Sequence, residues 1–158
     1  MLTIAIAVVL LLIVLNGIFA MTELAVVSSR KSKLQARADR GDRGALAALK
    51  LSEEPTQFLS AVQVGITLIG ILAGAYGQAS IAGELDEVLS AAFPAIARYS
   101  QVFSTGLVVV LITYFSLIVG ELVPKRLAQI FPETIASKMA GPISNLALVM
   151  KPFVLLLT

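Results

Sequence analysis

Gly120-Glu121-Leu122-Val123-Pro124-Lys125 closes an apolar run that begins at Val102. The run is uncharged and long enough to cross a bilayer core of about 30 Å as a helix. Its end is unusual. Pro124 has no N–H, so the carbonyl of Gly120, four residues earlier, loses its helical donor. Gly120 has no side chain to shield that oxygen, and Glu121 stands beside it. A free carbonyl next to a carboxylate is half of a hard-cation site. The same string also reads as a helix stop in which Glu121 pairs with Lys125 one turn on. The residues alone leave both readings open.

Two further apolar stretches flank this one. The spans are expected at about 2–27, 58–76 and 101–123, each rich in Leu, Ile, Val and Ala. Glu23 lies in the first. A carboxylate at membrane depth costs about 2.5–3.5 kcal/mol on insertion scales, so it is rarely kept without a partner or a task. Two such acids, each near the end of its span, point to a cation site. The first span lacks the basic leader of a signal peptide and is about twice too long for one, so it reads as a retained helix.

Charges sit between the spans. The segment 30–54 carries Arg30, Lys31, Lys33, Arg37, Arg40, Arg43 and Lys50, with Asp39, Asp42, Glu53 and Glu54. Leu34, Ala38, Ala45, Leu46, Leu49 and Leu51 predict an amphipathic connector broken near Gly41–Gly44. The loop 77–100 carries Glu84, Asp86 and Glu87 against Arg98. Lysine and arginine bias places the connector and Lys125–Arg126 in the cytoplasm, with the N-terminus outside and the C-terminus inside a plasma (inner) membrane. The last stretch, 128–158, is apolar but interrupted by Pro142, Asn145, Lys151 and Pro152. Short interfacial helices along the cytoplasmic face are favoured there over a fourth span. The fold class is therefore an all-α membrane protein, one domain over 1–158, with three transmembrane helices and short cytoplasmic-face belt helices. The chain stops on Val154-Leu155-Leu156-Leu157-Thr158 with no polar tail, as expected of part of a longer protein whose remainder is cytoplasmic.

Composition narrows the chemistry. Hydrophobic residues make up 58% of the chain and charged ones 14%, with mean hydropathy +0.92. That is too apolar for a soluble domain of this size. The absence of Cys and His removes disulfides, thiolate and imidazole ligands, and imidazole-based catalysis. A metal site must be built from oxygen, which selects magnesium, calcium, manganese or sodium. There is no phosphate-binding loop, dinucleotide fingerprint or metalloprotease helix. An enzyme using Glu23 and Glu121 matches no known motif and is not expected. The basic residues suit anionic lipid rather than nucleic acid.

Several polar residues could contribute oxygens. Asn16, Thr22 and Glu23, six to seven residues apart, are expected to share roughly one face, with Ser28 and Ser29 at the exit. Hydrogen bonding between helices is the plainer role for Asn16. In the second span Gln63, Thr67 and Gly70 share a face, and Thr67 offers a hydroxyl. Gly70 and Gly74 form a Gly-x-x-x-Gly that favours close helix approach, within a protomer or across a dimer.

Three segments carry a family resemblance: Asn16-Gly17-Ile18-Phe19-Ala20-Met21-Thr22-Glu23-Leu24-Ala25 with Ser28-Ser29-Arg30, then Gln63-Val64-Gly65-Ile66-Thr67-Leu68, then Gly120–Lys125. In order and spacing they resemble the transmembrane domain of the cyclin-M/CorC family, closest to its hemolysin-related branch. The resemblance implies a homodimeric magnesium transporter or exporter, followed in full-length relatives by cytoplasmic CBS domains. It implies a largely dehydrated Mg2+ held by hydroxyls, backbone carbonyls and the span-three glutamate, which maps onto Gly120 and Glu121. Many relatives carry Ser where this chain has Ala20, which removes one hydroxyl ligand; Thr22, Thr67 or a backbone oxygen is the expected substitute. Asn, common in the family's second span, is replaced here by Ile66 and Gly70. The expected ligands are thus Glu121, Gly120, Thr67, Thr22, Glu23 and Ser28. The expected function is divalent-cation transport, magnesium export foremost, with Na+ as a coupling ion. The alternative is a membrane-anchored ion sensor without transport.

Overall fold

The computed structural model describes residues 2–53 and 55–157, apart from the side chains of Ile96 and 146–157. Glu54 and Thr158, both named above, fall outside the described residues, as does the side chain of Lys151. Every described element is helical. Helix α1 spans Leu2–Ser28, α2 Lys31–Ala38, α3 Arg43–Glu53 and α4 Pro55–Gly77. Helix α5 is Gly83–Ala92, α6 Ser100–Leu117, α7 Val123–Ile130 and α8 Pro132–Leu157. Three helical stretches among the described residues are long and apolar enough to cross a membrane: Leu2–Ser28, Pro55–Ala92 and Ser100–Ile130.

The second and third stretches are longer than the expected spans because each continues through one wide π turn. Gln78–Ala82 joins α4 to α5, and Ile118–Leu122 joins α6 to α7. In the latter the N–H of Val123 donates to Ile118 O, five residues back. The wider turn carries the chain past Pro124 without ending the helix, and Pro124 sits in the first turn of α7, where its missing N–H is tolerated.

Helix α1 is the central strut, packing on α4, on α7, on α8 and on the π turn 118–122. The apolar core lies at one end of the bundle. It joins Ala25 and Val26 of α1, Leu34 of α2, Ala45, Ala48 and Leu49 of α3, Phe58 and Val62 of α4, Ala128 of α7, and Ala136, Ala140 and Ile143 of α8. The α2–α3 hairpin turns at Gly41, whose φ of +91° favours glycine. The last stretch differs from the expected series of short helices: α8 is one helix through Pro142 and Pro152. Ala136, Ala140 and Ile143 recur at helical spacing and are all buried, so packing holds α8 together where proline alone would break it. Large apolar side chains of α1, α4 and α6, such as Leu11, Ile71 and Val110, point outward, as a lipid-facing surface requires.

Candidate functional site at the Gly120–Glu121 turn

The π turn leans on the middle of α1. A Cβ on Gly17 would lie 2.9 Å from both Pro124 Cγ and the Val119 carbonyl oxygen. A Cβ on Gly120 would lie 3.3 Å from Asn16 Nδ2 and from Ile13 O. Two glycines therefore face each other where the backbones come closest, the device membrane helices use in place of a hydrophobic driving force. Gly17 was not singled out from the sequence for this role; its signal was a lone glycine within an otherwise bulky apolar helix.

The carbonyl that Pro124 deprives of a donor finds one across the interface. Asn16 Nδ2 donates to Gly120 O at 3.3 Å, and the carboxamide oxygen of Asn16 is buried without a hydrogen-bond partner. Glu121 is half-exposed and its Oε1 accepts from Lys125 Nζ at 2.5 Å. The Glu121–Lys125 pair of the sequence reading is thus present, but the helix does not stop there, and the Gly120 carbonyl, expected to be free, accepts from Asn16.

The other expected ligands are dispersed. Thr22 is fully buried, and its hydroxyl donates to Ile18 O of its own helix at 2.7 Å. It does not share the half-buried environment of Asn16 and Glu23. Glu23 has no ion-pair or hydrogen-bond partner among the described residues; seven residues after Asn16, it looks the same way from α1. Ser28 is exposed at the end of α1, and the neighbouring Ser29 hydroxyl donates to Ala25 O at 2.6 Å. Ala20 is buried. Thr67 lies on an exposed face of α4 with Gln63, Gly70 and Gly74. Helix α4 packs on α1, α6 and α8 rather than on the turn that bears Glu121, so Thr67 and Glu121 are not brought together within the protomer. A Cβ at Gly70 or Gly74 would meet open space. The close approach in α4 occurs instead at Gly65, against Phe19, and at Gly77, against Ile112 and Val9. Among the described residues no group of three or more acids could hold a metal ion.

A polar clasp ties the α2–α3 hairpin to α8. Ser137 Oγ donates to both oxygens of Asp42, at 2.9 and 2.7 Å, and the Ala45 N–H donates to Asp42 Oδ1 at 3.0 Å. Arg37 donates to the Thr134 hydroxyl at 3.0 Å, and Lys33 Nζ lies 3.4 Å from Glu133 Oε1. The hydroxyl of Ser137, helped by the backbone N–H groups of Ala45 and Gly44 and by Arg37, holds the Asp42 carboxyl below its ordinary value of 3.8. Burial pushes Glu133 upward, but backbone N–H groups and Lys33 outweigh it and leave that carboxyl lowered. At the opposite end Ser100 Oγ donates to Asp86, tying α5 to α6. A recess of about 430 Å³ opens there among Gln78, Asp86, Gln101 and Thr105.

The match with known proteins covers nearly the whole chain. Residues 6–158 fit the model of the cyclin M transmembrane N-terminal domain. UPF0053 protein sll0260 of Synechocystis is 52% identical over 92% of this chain and 32% of its own length. UPF0053 protein YrkA of Bacillus subtilis is 35% identical over 98% of this chain and 35% of its own. The polyamine export protein of Escherichia coli K12 is 32% identical over 95% of this chain and 33% of its own. The chain thus spans about a third of the length of these relatives. With three helical stretches able to cross a bilayer and this coverage, the protein is a membrane domain belonging to the family of the cyclin M transmembrane N-terminal domain.

Proposed function

We propose that this domain moves a cation across the membrane, from its Lys/Arg-rich end on the cytoplasmic side of the plasma membrane to its acid-rich end outside. The observation that carries the reading is the Gly120–Glu121 turn. It places a carboxylate beside a carbonyl that Pro124 leaves without its helical donor, at the end of a membrane-spanning stretch. Magnesium is the cargo that the Gly-Glu-x-x-Pro-Lys element favours. A dehydrated Mg2+ needs several well-placed oxygens, and Glu121, Gly120 O and Glu23 supply part of such a set. Thr67, exposed on α4, could complete it only from a partner protomer, which is the reading's reason for a homodimer. Inward sodium would drive the export.

A second cargo has its own support. The Thr22 and Ser29 hydroxyls are spent on their own helix, and Ala20 offers none. Separated carboxylates and carbonyls suit the spaced ammonium groups of a polyamine better than a compact dication, and relatives at about 30% identity are named polyamine export proteins. Flux from proteoliposomes decides. Loading with magnesium or with labelled spermidine should show release of one, lost in Glu121→Gln. Binding of either ion without any flux would leave the sensor reading instead.

A further inference from the structure

We propose that Asn16 is itself a ligand of the transported cation, exchanging its hydrogen bond to Gly120 for a place in the ion's coordination shell. The inference rests on the cation-transport reading and adds a residue to it. Three observations meet at one point. Pro124 has no N–H to give the Gly120 carbonyl four residues back. Asn16 Nδ2 occupies that carbonyl at 3.3 Å. The carboxamide oxygen of the same side chain is buried and satisfied by nothing among the described residues.

A buried carbonyl oxygen without a donor is costly and uncommon. Here the opposite orientation of the amide is worse, since Oδ1 would then face Gly120 O with no proton between them. A cation reverses that balance. It repels the NH2 end and attracts both oxygens, so a half-turn about Cβ–Cγ brings Oδ1 beside Gly120 O as two adjacent ligands. That torsion is broad for asparagine, and the rotation needs no backbone movement. Amide and backbone carbonyls are ordinary ligands of hard cations. Gly120 leaves the space in which the amide sits, and Glu121, next in sequence, supplies charge.

The test uses the full-length protein in lipid nanodiscs, with magnesium chloride alone and spermidine alone as probes, and reads dissociation constant and melting temperature. Asn16→Leu removes both donor and acceptor, and should weaken the probe that wild type binds by about tenfold or more. Asn16→Asp keeps two oxygens and loses the donor. It should melt lower than wild type without a cation, bind the cation more tightly, and show the larger melting shift on adding it. If both variants merely melt lower and bind with the wild-type constant, Asn16 is a packing residue and the proposal falls. If Asn16→Asp does not fold, the constant of Asn16→Leu decides alone. A wild type that binds neither probe overturns the transport reading, and this assignment with it. Wild-type binding that Glu121→Gln abolishes but both Asn16 variants leave intact overturns this assignment only.

Discussion

On the proposed reading, transport turns on Glu121, which has one side-chain partner among the described residues and is half-exposed. Lys125 pairs with it one turn on. Its half-exposed position leaves it open to a cation that displaces the lysine. Glu121→Ala should therefore abolish the rise in melting temperature that magnesium or spermidine gives the purified protein; an unaltered rise would remove Glu121 from the ligand set. Gly17 is decided by space. Its added methyl would press on Pro124 and Val119 O at 2.9 Å, and neither backbone oxygen nor proline ring can swing aside. Gly17→Ala should cost about 1–3 kcal/mol of stability by denaturant unfolding in micelles, and Gly70→Ala, where nothing is nearby, almost nothing unless a second protomer covers that face. The contrast shows what was legible. The Gly-Glu-x-x-Pro-Lys string marked the candidate turn because proline chemistry is local. Which glycines meet another helix depends on how the helices cross, and a single helix pattern does not contain that.

At the level of elements, the two π turns were the least legible feature. An extra residue in one turn changes neither composition nor hydropathy, so the spans read as ending where the helices in fact continue into α5 and α7. Helix α8 differs from the expected short helices for a related reason. Pro142 and Pro152 weigh heavily in an isolated helix, but α8 is held by its buried stripe Ala136–Ala140–Ile143 and by the clasp to the α2–α3 hairpin. That clasp has a pH signature. Asp42 is lowered when folded, so its contribution is fully present above its unfolded value, near 3.8, and disappears as pH falls through the lower folded value. Glu133 works in the same direction. Unfolding followed against pH should show stability level from neutrality to about pH 4 and falling below it, with the fall reduced in Asp42→Asn. Gly44 tests the same clasp by sterics. A Cβ there would drive into the Ser137 carbonyl, so Gly44→Ala should destabilise by about 1–3 kcal/mol or more, and should release α3 from α8 in hydrogen exchange.

For the whole molecule, the distribution of stability follows from the solvent each part meets. Apolar side chains facing lipid gain little by packing on one another, because hydrocarbon is as apolar as leucine. The core end carries the charged connector 30–54, and where water meets it the hydrophobic effect operates in full. The buried apolar cluster lies at that end, among α2, α3, α7, α8 and the adjoining turns of α1 and α4, whereas α6 leaves most of its length uncovered. Leu34 is fully buried in the cluster and Val110 is 64% exposed on α6. Leu34→Ala should therefore cost about 2–5 kcal/mol and Val110→Ala less than about 0.5 kcal/mol, measured by reversible unfolding in the same micelle. Equal costs would mean that the spans, not the belt, hold the protein together.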